Sequence, residues 1–159
     1  MTETLPPAHG IRRAPLTGLV HDLVTLNYHE RLIRRKRLVT AHDESFVVDL
    51  SETVSLDHGD AFALTDGRLI GVIAAAEALM RVTGDLPRLA WHIGNRHAPC
   101  QITSTALILQ RDKVMCAMLA GLGAVVADFD APFTPDGGAY GHGRTLGHSH
   151  GGHSHTHDR

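Results

Sequence analysis

Trp91-His-Ile-Gly-Asn-Arg-His97-Ala-Pro-Cys-Gln-Ile102 is the stretch on which the fold turns. An apolar, helix-like approach leads into it, an Asn/Gly/Pro break interrupts it, and a β-branched run follows. Upstream, Asp85 is a suitable N-cap and Pro87 lies just inside the helix start. Leu86, Leu89, Ala90 and Ile93 supply the apolar positions. Gly94-Asn95 is expected to end this helix, and Pro99 forbids its immediate resumption. His97 sits at that hinge.

Outward from the hinge, Gly71 to Val82 suits a helix by its alanines and a strand by its length, and periodicity alone does not decide. The helix that follows favours a strand, with Thr83-Gly84-Asp85 as the turn out of it. Gln101 to Gln110 is strand-like in Ile102, Thr103, Thr105, Leu107, Ile108 and Leu109. Asp112 opens a second helix with Val114, Met115, Met118, Leu119 and Leu122 at helical spacing, and Gly121 and Gly123 near its end. Ala124 to Phe129 is a last strand. The order β-α-β-β-α-β over residues 71–140 is the ferredoxin-like split βαβ arrangement. Met115 and Met118 belong to its core rather than to a soft-metal site.

Before that unit, residues 1–70 carry short β-type runs: Ser45 to Leu50, Thr53 to Leu56, Ala61 to Leu64, then Leu69 onward. Asp66-Gly67 is the strongest hairpin signal among them. Met1 to Leu16, with Pro6, Pro7 and Pro15, reads as a loosely held entry segment. The basic run His29 to Val39 reads as a strand with a solvated basic face, and a patch for an acidic partner or nucleic acid is the alternative. His58, beside Gly59 and Asp60, is a turn residue. The fold class is therefore α+β: a small β-rich N-terminal domain, a ferredoxin-like βαββαβ domain and a histidine-rich tail over residues 141–159. That tail, mostly Gly, Ser, Thr and His with Leu146 as its lone aliphatic, cannot offset its ordering entropy by burial and is expected to be disordered.

Composition narrows the function. A chain of 159 residues with 43% hydrophobic content can bury a core, and its net charge of −2 argues against a nucleic-acid binder. No apolar run suits a signal peptide or a bilayer span, so a membrane partner is not expected. Cys100 and Cys116 form no CxxC motif and read as reduced thiols of a cytoplasmic protein. The unusual figure is 13 histidines. With an unperturbed pKa of about 6.5, most imidazoles are neutral at pH 7 and available as ligands.

Six of them, His142, His148, His150, His153, His155 and His157, lie in the tail. Interrupted by Gly, Ser and Thr, they do not form the plain run of an appended tag. Neutral imidazoles suit Ni(II), Cu(II) and Zn(II), and raw affinity favours copper, so the tail alone does not choose its metal. His92 and His97 are separated by roughly 140° on a continuous helix and would not chelate one ion from the same face. His92 reads as a partly buried, hydrogen-bonded histidine. One His97 cannot hold a metal well alone, but a two-fold dimer would bring two copies to one axis, where tail histidines could complete four to six ligands. Cys100 reads as a small buried apolar residue, with a soft ligand as the alternative. Metallo-hydrolase motifs such as HExxH are lacking.

Gly94-Asn-Arg-His97-Ala-Pro-Cys-Gln-Ile102 resembles the signature of the UreE family, urease accessory nickel metallochaperones. The likeness extends through Asp112-Lys-Val, Met118 to Gly123, Pro132-Phe-Thr-Pro, Gly138-Ala-Tyr140 and the tail. Upstream, Arg34 to Arg37, His58-Gly-Asp60 and Val72 to Glu77 also fit. The resemblance implies a non-enzymatic homodimer whose motif histidine, His97 here, binds nickel at the dimer interface with added tail ligands. It implies Ni(II) as cargo, passed to apo-urease in the urease activation complex through the GTPase UreG. Zn(II) or Cu(II) would compete for the same imidazoles. Two departures matter. Arg111 and Lys113 flank Asp112 where some relatives carry histidines, which weighs against a second surface site. Cys100 stands where an apolar residue is more usual. The rival class is a storage or detoxification protein whose tail is a histidine sponge.

Overall fold

The computed structural model describes residues 3–137. Two sheets organise them. The first has six strands: β1 (Ala8–Arg12), β2 (Asp22–Leu26), β3 (Leu32–Val39), β4 (Ser45–Ser55), β5 (Ala61–Leu64) and β6 (Leu69–Ala74), in the order β2-β6-β5-β1-β4-β3. β2 runs parallel to β6 and β1 to β4, and the other pairs are antiparallel. The sheet curls: Ala41, just past edge strand β3, donates to the Leu23 carbonyl on the opposite edge strand. Val24, Leu26, Ile33, Phe46, Val48, Phe62, Ile70 and Val72 fill its concave core.

Three expectations for this part are refined. The proline-flanked N-terminus is not loosely held: β1 lies inside the sheet between β5 and β4, and Ala8 is fully buried. Pro6 and Pro7 precede the strand, where a missing N–H disrupts no ladder. The runs on either side of Ser51-Glu52 form one strand of 11 residues. The expected strand over Gly71 to Val82 is two, divided at Ala75: β6 closes the first sheet and β7 (Ala76–Thr83) opens the second. The Asp66-Gly67 hairpin is present, with Gly67 at φ 90° and its N–H donating to Leu64. Arg34 to Arg37 on β3 are all exposed, and Arg35 pairs with Asp49 at 2.8 Å.

The turn between β3 and β4 is held by a buried carboxylate. Asp22, 4% exposed, accepts from the Leu23 N–H at 2.8 Å, the His42 N–H at 3.3 Å and the His42 ring at 2.9 Å. Burial alone would raise its pKa, but the hydrogen bonds from Thr40, His42 and Leu23 win and hold it at about 2. The same hydrogen bond and the Asp22 charge raise the pKa of exposed His42. The signs fix a window. Asp22 contributes stability above its unfolded value of 3.8, lost as pH falls towards 2; His42 contributes below 6.5, lost as pH rises through its raised folded value. A His42→Gln variant should therefore show its largest deficit in urea midpoint between about pH 4 and pH 6.5. A deficit that grows from pH 6 to pH 9 would contradict this assignment.

The second sheet orders β10 (Val125–Pro132), β7, β9 (Leu107–Gln110) and β8 (Gln101–Ile102), all antiparallel. With α1 (Leu86–Asn95) and α2 (Lys113–Gly121), its element order is the expected β-α-β-β-α-β. The strand-like segment from Gln101 to Gln110 is interrupted because the Thr103 hydroxyl takes the Thr105 and Ala106 N–H groups and closes a turn. Met80, Val82, Leu107 and Leu109 pack under Leu89, Ile93 and Leu119 of the helices, with Met115 and Met118 beside them. The chain is thus α+β and mostly β.

The two sheets meet through a third cluster, Tyr28, Leu79 and Phe133. Tyr28 packs edge-on to Phe133, ring centroids 5.3 Å apart. Its N–H donates to Glu77 at 2.9 Å. Arg31, 1% exposed, donates to the carbonyls of Leu26 and Leu56 in the first part and of Phe133 in the second.

Candidate metal centre

Both helices of the second unit start and end by the same devices. Asp85 and Asp112 cap the N-termini, accepting from the Arg88 and Met115 N–H groups. At the end of α2, Gly123 donates to Ala120 and Ala124 to Leu119, with Gly123 at φ 87°. This is the Schellman pattern, whose left-handed residue is usually glycine. At the end of α1, His97 donates to Gly94 and Ala98 to Ile93, and the left-handed position is occupied by His97 at φ 57°. The helix ends at Asn95, as expected, but the left-handed residue that closes its last turn is His97 and not a glycine. A left-handed backbone costs a residue with a Cβ about 1 kcal/mol. Strain of this kind concentrates where function fixes the residue type.

The turn pushes the His97 side chain outward, and it is exposed. It lines a cavity of about 220 Å³ together with Gly94, Pro99, Cys100, Ile102 and Asp136. Ile102 is 58% exposed beside it, and Trp91, on α1, is 64% exposed. His92 is half-buried and packs edge-on to Trp91 at 5.0 Å. Cys100 is half-buried, and burial, reinforced by the Asp136 charge, pushes its thiol up to about 11. Cys100 packs against the core of the second sheet, which favours the packing role for it.

Asp136 is the residue the sequence did not single out. Thr134 to Asp136 lie along the outer edge of β8. The Ile102 N–H donates to Asp136 Oδ2 at 2.6 Å, Asp136 N–H to the Cys100 carbonyl at 2.9 Å, and Thr134 N–H to Gln101 Oε1 at 3.2 Å. The chain therefore leaves the second sheet beside His97. A Pro-Asp-Gly sequence signals only a turn, and no local pattern announces that the Asp caps a strand edge.

Among the described residues, no three or more His, Cys, Asp or Glu side chains stand close enough to hold a metal ion. His97 is the one sequence-predicted ligand that falls within them. His142, His148, His150, His153, His155 and His157 lie outside the described residues, as does the expected disorder of that segment. A larger cleft of about 720 Å³ between the two sheets shares Ala98 and Pro99 with the His97 cavity and is lined by His29, Glu77, Gln110 and Arg111. Its polar groups are engaged with one another: Gln110 Nε2 lies 3.3 Å from Glu77 Oε1 and 3.4 Å from His29 Nε2. No helix among the described residues is long and apolar enough to cross a membrane.

Two family models together match residues 1–158. The family model described as UreE urease accessory protein, N-terminal domain, matches residues 1–75, and the one described as UreE urease accessory protein, C-terminal domain, matches residues 74–158. A Urease accessory protein UreE of Ruegeria pomeroyi is 58% identical over 147 residues, 92% of this chain and 99% of that protein. One from Cereibacter sphaeroides is 52% identical over 151 residues, 95% of this chain and 83% of the relative. A third, from Paracoccus denitrificans, is 56% identical over 136 residues, 86% of each chain.

Proposed function

The chain belongs to the UreE urease accessory protein family, and from that membership we propose that it carries Ni(II) as cargo to the urease metallocentre rather than catalysing a reaction. Its place is in urease maturation. The finer reading has the protein act in the cytoplasm as a homodimer, with its ferredoxin-like unit bringing two copies of His97 to a two-fold axis. Tail histidines His142, His148, His150, His153, His155 and His157 add ligands. The ion passes to apo-urease through the GTPase UreG. The observation that supports this reading is the position of Asp136, which is bonded to the strand that follows the His97 loop and lines the same cavity as the exposed imidazole.

The chemistry follows from the donor set. His97 alone is too few donors for tight binding, and this favours a shared site over a site within one protomer. Imidazoles bound in sequence can leave one at a time, each step costing less than full release, as a carrier requires. The exposed apolar side chains Ile102 and Trp91 suit a contact with a second copy.

Because protons compete for imidazole, nickel affinity should fall steeply as pH drops through about 6.5. Affinity that stays flat between about pH 5.5 and pH 7.5 would rule out histidine-dominated binding. Delivery is tested with nickel-loaded protein, apo-urease and the GTPase in chelator-buffered medium. Urease activity should appear with the intact chain and fall at least ten-fold with His97→Ala. Equal activation by the two proteins would overturn the role of His97, and activation by neither would leave only the storage reading.

A further inference from the structure

The edge strand β3 carries a basic run that the metal centre does not use. Arg34, Arg35, Lys36 and Arg37 are exposed, held between Ile33 and Leu38, which are buried in the core of the first sheet. Arg35 is bonded to Asp49, but among the described residues Arg34, Lys36 and Arg37 pair with no carboxylate. Cross-strand neighbours share a face of the sheet. Arg35 and Arg37 lie opposite Asp49 and Val47, and Val39 continues that outer face. Lys36 and Leu38 lie opposite Val48 and Phe46, both fully buried, on the core side. The outer face of the edge thus presents two arginines beside two exposed aliphatic side chains, Val39 at 49% and Val47 at 45%. Among the described residues β4 is the one strand that β3 pairs with, which leaves its other edge without a strand partner. Charges on an edge strand guard it against unwanted pairing. That role accounts for the cations but not for two exposed valines beside them, which invite contact.

We propose that the outer edge of β3 is a docking surface for an extended acidic segment of a partner protein, which adds to the first sheet as a further strand. Carboxylates two residues apart on such a segment lie on one face, about 7 Å from each other, and match the alternate positions of Arg35 and Arg37. Each guanidinium can take both oxygens of a carboxylate. An aliphatic residue two positions further along the same face covers Val39. The Arg35–Asp49 bridge is exposed on both sides and gives way at little cost. Charge complementarity selects a protein segment over nucleic acid, because so few cations on one strand neutralise few phosphates, and Asp49 stands among them. The surface belongs to the first sheet and His97 to the second unit, so the proposal does not depend on nickel binding.

The probe is a labelled peptide, Val-Thr-Glu-Thr-Glu-Thr-Val, whose glutamates and valines share one face when extended. Fluorescence anisotropy reads its affinity for the intact chain beside two control peptides. One has lysine for glutamate; the other has the same composition reordered as Val-Val-Thr-Thr-Thr-Glu-Glu. The alternating peptide should bind about ten-fold more tightly than either, and amide exchange across Arg34 to Arg37 should slow when it is bound. The double variant Arg35→Gln, Arg37→Gln should weaken binding about ten-fold and Val39→Thr about three-fold, with urea unfolding to confirm that each folds. Arg88→Gln, on α1, should change nothing. Equal binding of the two acidic peptides would show general charge attraction without an added strand, and would overturn the proposal. Tighter binding of a thymidine oligonucleotide than of the alternating peptide, with the same dependence on the arginines, would overturn it in favour of nucleic acid. A wild-type chain that ignores every peptide, beside a double variant that self-associates, would leave the cations as guards of the edge and overturn it as well.

Discussion

Replacing Arg31 with methionine is expected to lower the unfolding free energy by about 3–4 kcal/mol, the largest stability effect of any single change considered for this chain. The guanidinium is 1% exposed and donates to three carbonyls from three segments. Methionine fills much of the volume and supplies no donor, so three buried acceptors lose their partner together. Burial pulls the Arg31 pKa below its ordinary value, while Glu77 and Asp57 act against that pull and keep the cation in place. Lysine cannot replace it, because one ammonium cannot span carbonyls on opposite sides of a planar fork. Urea unfolding at pH 7 measures the loss, and a deficit below about 1 kcal/mol would show that the three bonds are dispensable. Because Phe133 is one of the partners, the same variant should loosen the segment that leads to Asp136.

Replacing His97 with glycine is expected to do two opposite things. The left-handed turn at φ 57° suits glycine, so the fold should gain at most about 0.5 kcal/mol, the relief of Cβ strain less the added freedom of the unfolded chain. Tight nickel binding should disappear. A residue kept only for its place in the turn would show the first effect without the second. Denaturant midpoints, read beside metal titration, separate the two.

The second unit was legible because its signals are local. Asp85 and Asp112 as caps, Gly123 as a stop and the alternating runs between them define each element without reference to the rest. The break at Ala75 was not legible, since Ala74-Ala75-Ala76 carries no turn signal and only the partners across each sheet differ. β1 was hidden because its prolines read as coil, while its partners lie about 40 residues or more away in sequence. The motif histidine stood out; its left-handed backbone did not, because Gly94 and Asn95 offered a more conventional stop. Arg31 and Asp136 were invisible for a common reason. Each acts through backbone carbonyls or N–H groups brought close by folding, and such partners leave no mark in side-chain patterns.

Nickel titration with molar mass measured by light scattering, applied to the intact chain, a chain ending at Gly137 and the His97→Gly variant, tests the central claim most directly. The account predicts a dimer that binds about one tight ion, retained though weakened in the shortened chain, and lost in the glycine variant while its fold is as stable or more so. Tight binding unchanged in His97→Gly and abolished by shortening would contradict it, leaving a histidine sponge in place of a shared carrier site.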